Sequence, residues 1–179
     1  MRTLIKETLN RIDETTTLKG WVSTKRDHGK LTFIDLRDRT GTIQCVGYQK
    51  MGELTTETVL QVTGIIKKRS DKSVNPELPL GTIEIDVQEY LVLGKAKELP
   101  IQVKEVAGNE VAEEIRLKYR YLDLRREKMQ KIMKLRSTYS HALRQGFIDR
   151  DFVEVETPIL SKATMEGARV FLVPSRFQH

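Results

Sequence analysis

The 179-residue chain is 39% hydrophobic and 31% charged, carries a formal net charge of +6 and holds a single cysteine. It is too apolar for a disordered chain, has no apolar run of membrane-spanning length, and is long enough for one ordinary domain with part of a second. Lone Cys45 excludes a disulfide framework, no metal-ligand spacing or secretory leader is present, no membrane partner is expected, and the cytosol is the default compartment. The excess of Lys and Arg suits a polyanion such as nucleic acid, although a merely solvated basic surface gives the same sum.

From Thr17 to Leu93 the apolar residues alternate with period two. This predicts five strands: Leu18–Thr24, Leu31–Arg37, Thr42–Tyr48, Val59–Lys68 and Gly81–Leu93. Asp38-Arg39-Thr40-Gly41 has hairpin-turn chemistry, and Ser70–Leu80, with Asn75-Pro76 and Pro79, reads as a loop. Met51–Glu57, between the third and fourth strands, is the place for a short helix. Five strands with one break after the third is the layout of an OB-fold, a partly open barrel that binds oligonucleotides on its strand 2 to 3 face. Ala96–Asn109 is a charged connection with Pro100 and Gly108. Helical spacing follows over Glu110–Arg126 and Met129–Phe147, the second with Ile132, Leu135, Tyr139, Ala142, Leu143 and Phe147 on one stripe. Phe152–His179 then holds two apolar runs around a Gly-containing loop, as in buried strands of a sheet whose other layers would follow the last residue. The fold class is therefore mainly β with α. Residues 1–95 are expected to be the barrel, 96–128 a linker and hinge, and 129–179 the incomplete start of a second domain.

Alternation also sorts the barrel's faces. Ile34, Leu36, Ile43 and Cys45 go inward, while Phe33, Asp35 and Gln44 go outward. If the turn pairs Arg37 with Thr42, Asp35 opposes Gln44 and Phe33 lies diagonal to it on the same face. A phenyl ring stacks on any base, and an amide beside it donates and accepts along a Watson–Crick edge, so the pair can hold a base and choose among bases. An outward Phe covered by a neighbouring loop is the plainer alternative. Lys25, Arg26 and His28 in the adjoining turn, with Lys67 and Arg69 sharing a face of the fourth strand, add cations suited to a single-stranded backbone. Glu84 could accept from a guanine edge, or simply be solvated.

GWVSTKRDHGKLTFIDLRDRTGTIQ, RLKYRYLDLRR and FVEVETPILSKATMEGARVFLVPSR together resemble the amino-terminal portion of the bacterial aspartyl-tRNA synthetases, class II enzymes of the subgroup that includes the lysyl and asparaginyl members. RYLDL and EVETP place only the subgroup; the RDHG turn and the KATMEGA…FLVPSR run favour the aspartyl member. The resemblance implies an anticodon-binding OB-fold, a hinge, and the first helix and strand of a class II catalytic domain. That pair is motif 1, which builds the dimer interface through the helix Met129–Phe147 and Pro158. The implied tRNA contacts are Arg26, His28, Phe33, Gln44, Lys67, Arg69, Ser73 and Glu84, with Phe33 stacked on the central uracil and Gln44 on its edge. Glu166 falls in the loop that closes over the amino acid.

Several positions depart from the family pattern: Lys67 stands for an arginine, Ser73 for an asparagine, Asp151 for a glycine, and Met165 and Val170 for a proline and an aspartate. The full-length enzyme would use ATP and Mg2+ to activate L-aspartate and pass it to tRNA(Asp), with tRNA(Asn) a second candidate. Motifs 2 and 3, which clamp the phosphates, would lie beyond His179, so this chain is expected to bind tRNA without cofactor and without catalysis, and no catalytic or metal-binding residue is assigned. Two alternatives stand beside this reading: a piece of a lysyl or asparaginyl enzyme, and a non-catalytic OB-fold protein that binds single-stranded nucleic acid.

Overall fold

The computed structural model describes residues 3–29, 31–71, 73–76, 78–104, 110–160, 171–174 and 177, with side chains left out at 48–50. It divides into two compact units, residues 1–131 and 132–179. In the first, β1 (Thr15–His28), β2 (Leu31–Arg37), β3 (Thr42–Tyr48), β4 (Val59–Lys68) and β5 (Ile83–Gly94) close a barrel in the order β1-β2-β3-β5-β4. The neighbours are antiparallel except β3 and β5, which run parallel. Residues of one parity fill the interior: Leu18 and Val22, Ile34 and Leu36, Ile43 and Cys45, Leu60 and Ile66, Ile83 and Ile85 are all buried. This period-two pattern is what a barrel filled by side chains demands.

The bounds of β2, β3 and β4 are those expected from alternation, whereas β1 is longer at both ends. Its first half pairs with β4 from Thr15 to Trp21, and its second half pairs with β2 out to His28, with a register shift between Val22 and Thr24. One strand thus serves two neighbours, and the polar stretch from Lys25 to His28, expected as a turn, is held extended by β2. The short helix expected at Met51–Glu57 is a 3₁₀ helix over Gln49–Glu53 that drops Met51 into the core. A second 3₁₀ helix, Ile5–Asn10, was not foreseen, being too short to show a helical period. It sends Ile5 into the same core, and the Ile5 N–H donates to Asp38 Oδ2 at 3.0 Å. The Asp38 carboxylate also takes the Thr40 N–H and hydroxyl, so the expected β2–β3 turn doubles as the anchor of this plug.

Glu110–Arg126 is not one helix. It breaks at Tyr119 into α1 (Glu113–Lys118) and α2 (Arg120–Asp123). The break lets Leu122 join Ile101 and Val103 in a small second core. It also buries Asp123 completely, with Arg116 Nε at 3.0 Å, Arg120 Nη1 at 2.6 Å and Arg126 Nη1 at 3.5 Å. Burial opposes ionisation of the Asp123 carboxyl, and the hydrogen bonds and positive charge of these arginines outweigh it, holding the group below the usual carboxylate range. Nearer the barrel, Glu57 takes two hydrogen bonds from Arg37 Nη2, at 2.8 and 3.1 Å, and one from Arg125 Nη1 at 3.0 Å.

Helix α3 (Glu127–Ile148) buries none of its side chains, and the stripe Ile132, Leu135, Tyr139, Leu143 and Phe147 is exposed. It ends as Asp151 turns to φ 64°, a left-handed conformation that glycine adopts freely and aspartate tolerates. The glycine that the resemblance leads one to expect at this position would meet the same backbone requirement. The Phe152 ring then folds back on Phe147, with centroids 5.4 Å apart. Of the apolar runs in Phe152–His179 expected as buried strands, the first forms no ladder: Val153–Leu160 is exposed and pairs with no strand among the described residues. A lone extended segment has no neighbour to take its N–H and C=O groups, which is what makes a strand. Pro158 lies within it, also exposed.

Candidate nucleic-acid interface

The barrel's outer surface carries two adjacent cross-strand rows. In the first, Thr24 of β1 pairs with Asp35 of β2, Asp35 with Gln44 of β3, Gln44 with Glu84 of β5, and Glu84 with Lys67 of β4. The second row runs Arg26, Phe33, Val46 and Asp86 across β1, β2, β3 and β5. Because successive outward residues on a strand are two apart, the rows are neighbours, and Phe33 lies diagonal to Gln44 as alternation requires.

Hydrogen bonds tie the rows together. Arg26 Nη2 lies 3.2 Å from both Asp35 Oδ1 and Gln44 Oε1, while the Thr24 hydroxyl donates to Asp35 Oδ2. On its other side Gln44 donates through Nε2 to Glu84 Oε2 at 2.9 Å. Glu84 Oε2 in turn stands 3.7 Å from Arg69 Nε. Lys67 Nζ pairs with Asp86 Oδ2. Phe33 is half-buried, with the exposed His28 ring set edgewise to it at 86° and a centroid distance of 5.4 Å. This surface offers an aromatic ring, an oriented amide and the Arg26 guanidinium, whose side chain is 53% exposed. A ring that stacks, with donors and acceptors beside it, suits an unpaired base.

Arg26, His28, Phe33, Gln44, Lys67 and Glu84 are thus brought onto one region of the barrel. Arg69 is a correction. Expected on an open face with Lys67, it lies just past the end of β4, only 9% exposed, and donates to the Ile83 carbonyl at 3.0 Å and the Ser73 carbonyl at 3.5 Å. It braces the loop after β4, and exposed Ser73 meets it through the backbone rather than the side chain. Gln44 points outward as expected, yet it is 9% exposed, because Arg26 and Glu84 occupy both ends of its amide. Glu84 is accordingly a partner of Gln44 and not a merely solvated acid. Glu166, with Met165 and Val170, lies outside the described residues. Asp35 was recognised as facing Gln44 but not as part of the site; a carboxylate in register with an amide on an outward face is the signal that could have found it.

A family model for the OB-fold nucleic acid binding domain matches residues 16–93, and one for class II tRNA synthetases (D, K and N) matches residues 112–179. An aspartate–tRNA(Asp/Asn) ligase from Trichodesmium erythraeum is 49% identical over 93% of this chain and 30% of its own length. An aspartate–tRNA ligase from Halalkalibacterium halodurans is 45% identical over 94% of this chain and 29% of its own. The chain is similar to bacterial aspartate–tRNA ligases along nearly its whole length. It spans about 30% of the length of these curated relatives. Among solved structures, a putative aspartyl-tRNA synthetase from Leishmania major Friedlin superposes with TM-score 0.83 at 25% identity, covering 96% of this chain and 37% of that one. The asparaginyl-tRNA synthetase of Pyrococcus horikoshii, complexed with asparaginyl-adenylate, gives TM-score 0.77 at 29% identity, covering 93% and 38%. The barrel is therefore an OB-fold, and the stretch that follows it matches the class II synthetase model over residues 112–179.

Proposed function

We propose that residues 1–95 bind the anticodon loop of tRNA(Asp) as part of an aspartate–tRNA ligase, that 96–128 form its hinge, and that 129–179 begin its catalytic domain. The observation that carries this reading is the pair of adjacent rows, which puts the Phe33 ring diagonal to the oriented Gln44 amide with Arg26 between them. Phe33 stacks on the central uracil, Gln44 and Arg26 meet its edge, and Lys67 lies toward the phosphates. The parent enzyme activates L-aspartate with ATP and Mg2+, transfers it to tRNA in the cytoplasm, and dimerises through α3 and the segment with Pro158. In it, Glu166 sits near the amino acid. Relatives named for both Asp and Asn tRNAs extend the partner class to tRNA(Asn). Among the described residues no group of three or more His, Cys, Asp or Glu could hold a metal ion. None of the helices among them is long and apolar enough to cross a membrane.

Titration of the chain with anticodon stem-loops bearing GUC tests the reading, with GUU loops measuring how far tRNA(Asn) is accepted. Phe33→Ala should weaken GUC binding by about 1–3 kcal/mol, the worth of one stacked base. Affinity should also fall linearly in log–log form as salt rises. An alanine variant that binds GUC as tightly as the original at fixed ionic strength refutes the stacking role.

A further inference from the structure

We infer that Asp35 is a positioning residue that sets which base Gln44 accepts, by holding Arg26 against one end of the amide. The inference rests on the anticodon reading above and adds a residue that makes no contact with the base. The side-chain amide of Gln44 has two ends of opposite polarity. Its Oε1 needs a donor and its Nε2 needs an acceptor. Glu84 Oε2, 2.9 Å away on β5, supplies the acceptor. Arg26 Nη2 supplies the donor at 3.2 Å, and the same nitrogen lies 3.2 Å from Asp35 Oδ1.

Asp35 is well placed to hold Arg26 there. Its side chain is 12% exposed against 53% for Arg26, so the carboxylate is the fixed partner and the guanidinium the mobile one. The Thr24 hydroxyl occupies the other carboxylate oxygen and fixes its orientation. Without Asp35, an exposed arginine would spread over solvent, as long cationic side chains do when nothing anchors them. The amide would then lose the Arg26 donor on its Oε1 side, while Glu84 would still hold the other end.

Fixed polarity has a consequence for base choice. A carbonyl oxygen has two lone pairs, and Arg26 Nη2 engages one on Oε1, which leaves the second to act as an acceptor. A uracil edge presents N3–H to that lone pair and a carbonyl oxygen to a neighbouring N–H. Cytosine presents an unprotonated N3 at the same place, acceptor against acceptor. If the amide can turn over, the distinction fades, because a side-chain amide with its ends exchanged suits the cytosine pattern.

The experiment measures the ratio of dissociation constants for stem-loops with GUC and GCC anticodons, using the full chain, Asp35→Asn, Gln44→Ala and the double variant. The ratio does not depend on the fraction of folded protein, because both loops titrate the same folded sites, so a variant that is merely less stable leaves it unmoved. Asp35→Asn should lower the preference for GUC by about tenfold, within the range for one bidentate base contact. In the Gln44→Ala background it should lower it no further. Loss of preference on Gln44→Ala with none on Asp35→Asn overturns the inference and leaves the anticodon reading intact. An equal loss from Asp35→Asn with and without Gln44 also overturns it, since Asp35 would then act by another route. A parent chain that binds neither loop, or both alike, overturns the anticodon reading and this inference with it.

Discussion

Replacing Asp123 by Asn should loosen the α1–α2 segment while leaving the barrel closed. The Asp123 side chain is fully buried, and of its three arginines Arg126 is 12% exposed, Arg116 34% and Arg120 45%. Removing one partner from a buried ion pair costs about 3–5 kcal/mol, because a charge is left without compensation. Here Arg116 and Arg120 can recover water, and only Arg126 is trapped, so about 2–3 kcal/mol is expected. The local core that must absorb this consists of Ile101, Val103 and Leu122, and it is separate from the barrel core. Local opening of the α1–α2 segment is the expected result. Amide hydrogen exchange over 113–126 should therefore quicken by about 30- to 150-fold at pH 7, with one factor of ten per 1.4 kcal/mol. Fluorescence of Trp21, the only tryptophan, should report an unaltered barrel. The carboxyl titrates below the usual range in the folded chain. Its contribution is thus complete above the unfolded carboxylate pKa of about 4 and is lost as pH falls through the lower folded value. Acid should loosen the same segment in the parent and have little left to remove in the Asn variant. Unchanged exchange over 113–126 at pH 7 would refute this account of the cluster.

Gly64→Ala should destabilise the barrel by about 3 kcal/mol or more, at the upper end of overpacking costs. Its Cβ would lie 2.1 Å from the Asp86 carbonyl oxygen and 2.9 Å from the carbonyl carbon, backbone atoms that no rotamer change can clear. A thermal melt followed at Trp21 that did not shift downward would contradict the close approach of β4 and β5. Cys45 is buried in the barrel, and burial pushes its thiol well above the ordinary range. Alkylation should therefore be undetectable in the native chain and should follow barrel unfolding in urea; fast modification in native buffer would mean that β3 opens locally.

The barrel was largely legible because its strands alternate cleanly, and alternation together with a turn that pairs Arg37 with Thr42 puts Asp35 opposite Gln44. What it could not show were features made by contacts distant in sequence. The plug at Ile5–Asn10 depends on an Asp38 carboxylate 33 residues away. The extension of β1 to His28 depends on pairing with β2, since Lys25-Arg26-Asp27-His28 has no apolar pattern of its own. Arg69 reads as a surface cation in any window of sequence and becomes a buried brace only once β5 lies beside it. The break at Tyr119 follows from the small core that Leu122 enters, which helical periodicity over Glu110–Arg126 does not reveal. The extended segment over Val153–Leu160 is the opposite case: its pattern is that of a strand, but pairing needs a second strand beside it.

The row from Thr24 to Lys67 takes one residue from each of the five strands, and the parallel pairing of β3 with β5 completes it. No single stretch of chain contains it, so it exists only while the barrel is closed. A ligand seated across it acts as a hoop does on staves, and each strand must let go before the ligand does. At one hundred times its dissociation constant such a ligand would add about 2.7 kcal/mol to the opening of all five strands at once. The small core around Leu122 would gain nothing, so binding would widen the gap in stability between the barrel and the α1–α2 segment.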